Sequence, residues 1–251
     1  MKKVIAFDLD DTLAVTKSPI TDQMSRLLAS LLDSYEVCVI SGGKFGQFEQ
    51  QLLENLHAAP ESLTRLHLMP TCGTRYYRYN LKKNMWDQQY AEDLSEQEKK
   101  LIVKTLTEAA KSLGYWESNP YGDIIEDRGS QITFSALGQK APPEKKYKWD
   151  PEAKKKHKIR DFVAPLLPHL EVRVGGTTSV DITKVGVDKA YGMKKLMEAL
   201  GIEKEDILFI GDRLEEGGND YPVKAMGIES MQIHHATETA LVIEAIVKLG
   251  K

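Results

Sequence analysis

Val4-Ile5-Ala6-Phe7-Asp8-Leu9-Asp10-Asp11-Thr12-Leu13 is the stretch that decides the fold: four apolar residues run straight into two carboxylates spaced two apart. A short apolar run with a polar boundary reads as a buried strand. Residues i and i+2 at its end point to one face. Asp8 and Asp10 therefore repel each other unless a positive charge relieves them. A hard divalent cation does so; Mg²⁺ takes one or two carboxylates together with phosphate oxygens and water. With part of its charge masked, Asp8 is placed to attack a phosphorus, while Asp10 gives a proton to the leaving oxygen and later takes one from water. The plain alternative is a solvated acidic turn.

The stretch Asp8 to Leu13 resembles the first motif of the haloacid dehalogenase superfamily, whose members mostly transfer phosphoryl groups through an aspartyl-phosphate. The resemblance implies three more motifs, in order and at strand ends. Tyr35-Glu36-Val37-Cys38-Val39-Ile40 leads into Ser41-Gly42-Gly43, which matches the second, a hydroxyl that grips a phosphate oxygen beside glycines whose N–H groups can face an anion. Gly186-Val187-Asp188-Lys189-Ala190 matches the third, with Lys189 as the balancing cation. Asp206-Ile207-Leu208-Phe209-Ile210 ends in Gly211-Asp212, followed by Gly217-Gly218-Asn219-Asp220, which matches the acidic metal-binding fourth. Each alone reads equally well as a turn or a solvated helix start; four in order do not.

Helical spacing at Met24, Leu27, Leu28, Leu31 and Leu32, behind Thr21-Asp22, predicts a capped amphipathic helix. Phe45, Phe48, Leu52, Leu53 and Leu56 predict a second helix, and Leu66 to Met69 a further strand. This alternation predicts a doubly wound parallel α/β core, Rossmann-like as in the superfamily, with ligands at the strand carboxyl ends. Beyond about residue 74 the pattern becomes strand-rich, with a long helix opened by Ser95 and Glu98 and closed by Gly114, a helix after Asp150-Pro151, and strands near 124–134, 170–174 and 178–183. Residues 1–81 and 186–251 are therefore read as the catalytic core, and 82–185 as an inserted α/β cap of antiparallel strands with two helices. A cap that closes excludes water during attack and admits it afterwards.

Ile125 to Gln139 is similar, without a gap, to the cap segment of the eukaryotic-type phosphomannomutases, a subfamily IIB arrangement. Val174 to Asp181 is similar to their sugar-contacting strand, and Gly211 to Tyr221 to their long fourth motif. The resemblance implies a small phosphorylated sugar as ligand. It makes Arg128 a phosphate holder, places Ser179 and Asp181 at sugar hydroxyls, and sets Thr12, Ser41, Gly42 and Lys189 at the transferred phosphate. Mg²⁺ would be held by Asp8, the Asp10 carbonyl and Asp212, with Asn219 and Asp220 shaping the loop or bridging through water. A homodimer paired through its caps is the assembly this resemblance admits. The chain departs from the mutases in having Tyr121 and Gln139 where they carry phosphate-clamping arginines, and Asp11 where they usually have glycine. Charge-assisted bonds contribute roughly 1.5–3 kcal/mol each, so these changes favour hydrolysis of a sugar phosphate over exchange between hexose 1-phosphate and 6-phosphate. A binding protein without catalysis is the third reading.

The chain of 251 residues, with a net charge of −3, gives no electrostatic reason to expect nucleic acid. No stretch approaches membrane-spanning length, and Met1-Lys2-Lys3 before the first strand is too short a start for a signal peptide. Two cysteines, Cys38 and Cys72, are no disulfide framework, which predicts a reducing cytoplasm. The lysine-rich run 145–158 reads as a solvated helix face, and none of His67, His169, His234 and His235 shows metal-ligand spacing.

Overall fold

Every residue of the opening strand, β1 (Val4–Phe7), is buried, which places it inside a sheet covered on both faces. The computed structural model describes residues 2–249. After β1 come α1 (Asp22–Leu32), β2 (Glu36–Ile40), α2 (Phe45–Gln51), α3 (Pro60–Leu63), β3 (Leu66–Met69), β4 (Arg75–Asn80) and β5 (Met85–Ala91). The Thr21 hydroxyl caps α1 by accepting the Met24 N–H at 3.2 Å. The single helix expected over residues 45–56 is two pieces: α2 stops at Gln51 and the chain tightens into a 3₁₀ turn, Leu53–Asn55.

The inserted unit carries α4 (Glu96–Ser112), β6 (Ile125–Asp127), β7 (Gln131–Ser135), α5 (Pro143–Trp149), α6 (Lys154–Val163), β8 (Leu170–Val174) and β9 (Ser179–Lys184). Its four strands pair antiparallel in the order β6-β7-β9-β8. Ile132, Phe134, Val180 and Ile182 pack one face of that sheet against Ile102 and Leu106 of α4 and Ile159 and Val163 of α6. Ser95 and Glu98 form the expected capping box, and Gly114, at φ +72°, ends α4. The unit holds three helices where two were expected. Pro143 opens the extra one at its first position, where a missing N–H costs nothing.

The chain returns to the first unit with α7 (Lys189–Leu200), β10 (Ile207–Gly211), α8 (Tyr221–Ala225), β11 (Glu229–Gln232) and α9 (Ala236–Leu249). The main sheet runs β11-β10-β1-β2-β3-β4-β5, parallel from β11 to β3 and antiparallel at β4 and β5. Alternate residues face opposite cores: Ile5, Phe7, Val37 and Val39 join α1, α2 and α9, whereas Val4, Ala6, Cys38 and Ile40 join Met193 and Leu196 of α7. This is the doubly wound α/β arrangement. The first unit runs to Ala91 and resumes at Asp188, and the second spans Glu92–Val187. The insertion thus begins later than residue 82, because β5 pairs along the whole of β4 as an edge strand of the main sheet. Among the described residues, no helix is long and apolar enough to cross a membrane.

Candidate active site

Parallel pairing of β1 with β10 and β2 brings three loops to the carboxyl edge of the sheet. The Asp8 N–H donates to the Ile210 carbonyl at 3.0 Å, so the strand carries one residue past its end and leaves the Asp8 carboxylate buried, 3 % exposed. Lys189, the first residue of α7, reaches that carboxylate and also bonds Asp220 Oδ1 at 2.5 Å. A lysine at a helix N-terminus opposes the helix dipole; the two carboxylates offset this. Asp188 caps α7 by accepting the Tyr191 N–H at 2.9 Å. The helix sits close because Gly192 abuts the turn after β3: a Cβ at Gly192 would lie 2.4 Å from Ile40 Cδ1 and 2.8 Å from the Cys72 carbonyl oxygen. That turn carries Thr71, Cys72 and Gly73 in successive left-handed conformations, with the Thr71 N–H on Gly43 O and the Cys72 N–H on Ser41 O, both at 2.9 Å. It brackets the Ser41 loop.

Asp220 is fully buried, and its second oxygen accepts the Arg213 N–H at 3.1 Å. It fits because β10 ends in glycine: a Cβ at Gly211 would meet Asp220 Oδ2 at 2.5 Å. Asp8, Asp212 and Asp220 each offer an oxygen, and these atoms lie within 4.8 Å of one another. Burial, opposed by Lys189 and reinforced by Asp220 and Asp212, holds Asp8 well above the usual carboxylate range. Burial and then Asp220 push Asp212 up to about 6. Burial disfavours charge on Lys189, but Asp220 and Asp8 outweigh it and raise its pKa. Three carboxylates against one ammonium leave excess negative charge in a buried place, and an all-oxygen donor set suits Mg²⁺. Both oxygens of Asp220 are engaged, and Asp8 meets Lys189 at Oδ1 and the Thr12 hydroxyl at Oδ2, the latter at a long 3.4 Å.

Thr12 is buried, with its hydroxyl 3.4 Å from Asp8 Oδ2. Ser41 is buried and its Oγ accepts the Gly43 N–H at 3.2 Å, while a Cβ at Gly42 would meet nothing within 4 Å. Asp11 stands at φ +59°, a left-handed backbone that explains why glycine suits this position; its carboxylate accepts the Thr16 N–H at 3.0 Å. Two further expected residues stand in different settings. Asn219 is exposed on the loop after β10, outside the buried cluster. The Asp10 side chain turns to accept from Lys17 N (2.9 Å), Gln47 Nε2 (2.8 Å) and Gln51 Nε2 (3.1 Å). The two glutamines were not anticipated, although their i, i+4 spacing on a helix after the Ser41 loop was visible.

In the inserted unit, Asp181 Oδ1 accepts from the Thr133 hydroxyl at 2.7 Å, and Ser179 pairs opposite Ser135 on the same polar face of the sheet. Arg128 follows β6 and its Nε donates to Glu126 at 2.8 Å, so one of its donors is already committed. Gln139 carries a buried side-chain Nε2 without a partner, and its carbonyl accepts from Lys146 Nζ at 2.9 Å.

Comparison with solved structures gives the fold. The chain superposes on a Plasmodium falciparum IMP-nucleotidase with a TM-score of 0.71 at 15 % identity, covering 98 % of this chain and 68 % of that one. A haloacid dehalogenase-like hydrolase from Bacteroides thetaiotaomicron matches with a TM-score of 0.66 at 17 % identity, over 98 % of this chain and all of that one. In sequence, Phosphomannomutase 2 of Dictyostelium discoideum is 26 % identical over 88 % of this chain and 86 % of its own length. The phosphomannomutase of Schizosaccharomyces pombe is 25 % identical over 88 % and 85 %. The family model for eukaryotic phosphomannomutase matches residues 24–248, beginning after the Asp8 motif, which the buried Asp8–Lys189–Asp220 arrangement supplies independently. The chain belongs to the eukaryotic phosphomannomutase family.

Proposed function

We propose that this enzyme moves a phosphoryl group between the 1- and 6-positions of a hexose phosphate through an aspartyl-phosphate on Asp8. The observation that carries the reading is the buried Asp8 held against Lys189 at the end of β1. Family membership turns that phosphoryl-transfer centre towards the mutase reaction, which it supports better than the hydrolysis expected from Tyr121 and Gln139.

Asp8 is the nucleophile. Lys189 offsets the charge of its carboxylate and, with Thr12, Ser41 and the Gly42 loop, that of the transferred phosphate. Asp220, gripped at both oxygens, holds Lys189 on Asp8. Asp10 protonates the oxygen that leaves and takes the proton of the hydroxyl that attacks next. Mg²⁺, held by Asp8, Asp212 and the Asp10 carbonyl, would neutralise charge on the phosphate oxygens. Arg128, Ser179, Asp181 and the Gln139 segment are assigned to the sugar phosphate. A content of two cysteines in 251 residues, with Cys38 fully buried, supports a reducing cytoplasm as the setting.

Hydrolysis is the second reading, favoured by the missing guanidinium groups: a poorly held bisphosphate departs and water accepts the phosphoryl group. The discriminating assay supplies mannose 1-phosphate or glucose 1-phosphate with Mg²⁺ and follows hexose 6-phosphate and inorganic phosphate together. Hexose 6-phosphate that depends on added hexose 1,6-bisphosphate is the expected outcome. Phosphate release without isomer formation establishes the hydrolase and makes Tyr121 and Gln139 its cause.

A further inference from the structure

We propose that Gln47 is a positioning residue for Asp10, a role that rests on the phosphoryl-transfer reading above. The Asp10 carboxylate stands in a built cradle. Oδ1 accepts the Lys17 N–H at 2.9 Å and Gln51 Nε2 at 3.1 Å, and Oδ2 accepts Gln47 Nε2 at 2.8 Å. Gln47 and Gln51 lie one helical turn apart on one face of α2, which Phe48 anchors in the core. Gln51 is 2 % exposed and its amide also donates to the Ser18 carbonyl at 3.0 Å, so it is a fixed strut. Gln47 is half-buried and bonds the other oxygen.

Three independent features select this orientation of Gln47. Lys17 Nζ lies 3.4 Å from Gln47 Oε1, which turns the amide nitrogen towards Asp10. Lys17 itself stands at φ +61°, a left-handed conformation uncommon for a non-glycine residue, and its N–H is the one that meets Asp10. A Cβ at Gly43 would lie 2.2 Å from Gln47 Oε1 and 2.7 Å from its Cδ, although Gly43 has no left-handed backbone that would itself call for glycine. The glycine makes room for the amide.

The consequence is selective. When a sugar ester phosphorylates Asp8, the Asp8–phosphorus bond forms, the phosphorus–oxygen bond to the sugar breaks, and a proton passes from Asp10 to the leaving oxygen. When acetyl phosphate does so, acetate leaves with the electron pair and needs no proton. A misplaced Asp10 slows the first and spares the second.

The test is rapid-quench phosphoenzyme formation from glucose 1,6-bisphosphate and from acetyl phosphate, in wild type, Gln47→Met, Asp10→Asn and the double variant. Gln47→Met is expected to slow transfer from the sugar ester by about ten- to a hundredfold. Half-saturation by the sugar ester and the acetyl phosphate rate both stay within about twofold. Gln47→Met adds no further loss on the sugar ester in the Asp10→Asn background, as for two changes acting through one contact. Equal loss on both donors, or none on the sugar ester, overturns the role of Gln47. Failure of wild type to form a phosphoenzyme from either donor overturns the phosphoryl-transfer reading itself, and the inference with it.

Discussion

Replacing Lys189 by methionine removes the cation that bonds the buried carboxylates Asp8 and Asp220 and leaves a side chain of similar length. Breaking a buried ion pair from one side costs about 3–5 kcal/mol. Like charges at the 4.8 Å limit of this cluster repel by about 3–4 kcal/mol at an effective dielectric of 20. The protein's cheapest relief is to protonate one carboxylate. Asp212 is already pushed up to about 6 and loses the lowering influence of Lys189 in this variant, so it takes up a proton readily near neutral pH. That relief caps the loss near the lower figure at neutral pH and shrinks it in acid. Urea unfolding of metal-free Lys189→Met is therefore expected to show a loss of about 3 kcal/mol at pH 7 and about 1–2 kcal/mol less loss at pH 5.5. Mg²⁺ should restore part of the difference by supplying the missing positive charge. Equal losses at both pH values, untouched by Mg²⁺, would refute the idea that Lys189 neutralises a carboxylate cluster.

Asp10→Asn keeps the acceptor oxygen but cannot carry a proton; it is expected to slow transfer from a sugar ester by about 10²–10⁴-fold, and near-normal turnover in a steady-state assay removes its acid–base role. Gly211→Ala pushes a methyl to 2.5 Å from Asp220 Oδ2, with an expected loss of about 1–3 kcal/mol in urea melts and a fall in kcat as Lys189 shifts; an unperturbed variant shows that the loop yields freely. The folded pKa of Asp212 is raised, so its protonated form favours the native state: this contribution is full below the ordinary value of 3.8 and is lost as pH rises to about 6. The thermal stability of metal-free wild type relative to Asp212→Asn is expected to fall across that window, and Mg²⁺ to remove the slope; a slope of opposite sign in that difference refutes a raised Asp212 pKa.

The core of the site was legible because its chemistry sits at strand ends, where a buried apolar run followed by a carboxylate, hydroxyl or glycine is visible as such. Asp8, Ser41 and Asp212 stand at such ends, Lys189 at a helix start was named only through the resemblance, and the alternating helices and strands between them gave the sheet. What a residue does with its second atom was not legible. Asp220 read as a loop acid, yet it is the fully buried partner of Lys189, and only the missing Cβ of Gly211 hints at the space it needs. Gln47 and Gln51 drew no notice in the sequence, because their partner, Asp10, lies about forty positions away. β5 read as part of the insertion because its sequence, Met85 to Ala91, mixes apolar and polar residues without a buried run; as an edge strand with partly exposed residues it needs no such run. The short helix α5 was hidden by its lysines, which serve a solvated face without any buried residue.

The most direct test of the account is to quench the enzyme in acid within the first turnover with hexose 1,6-bisphosphate and Mg²⁺, trap acyl phosphates with hydroxylamine, and map the modified residue by mass spectrometry. The account predicts modification at Asp8, lost in Asp8→Asn together with all turnover. A phosphoryl group mapped to any other residue, or turnover that survives in Asp8→Asn, would contradict it.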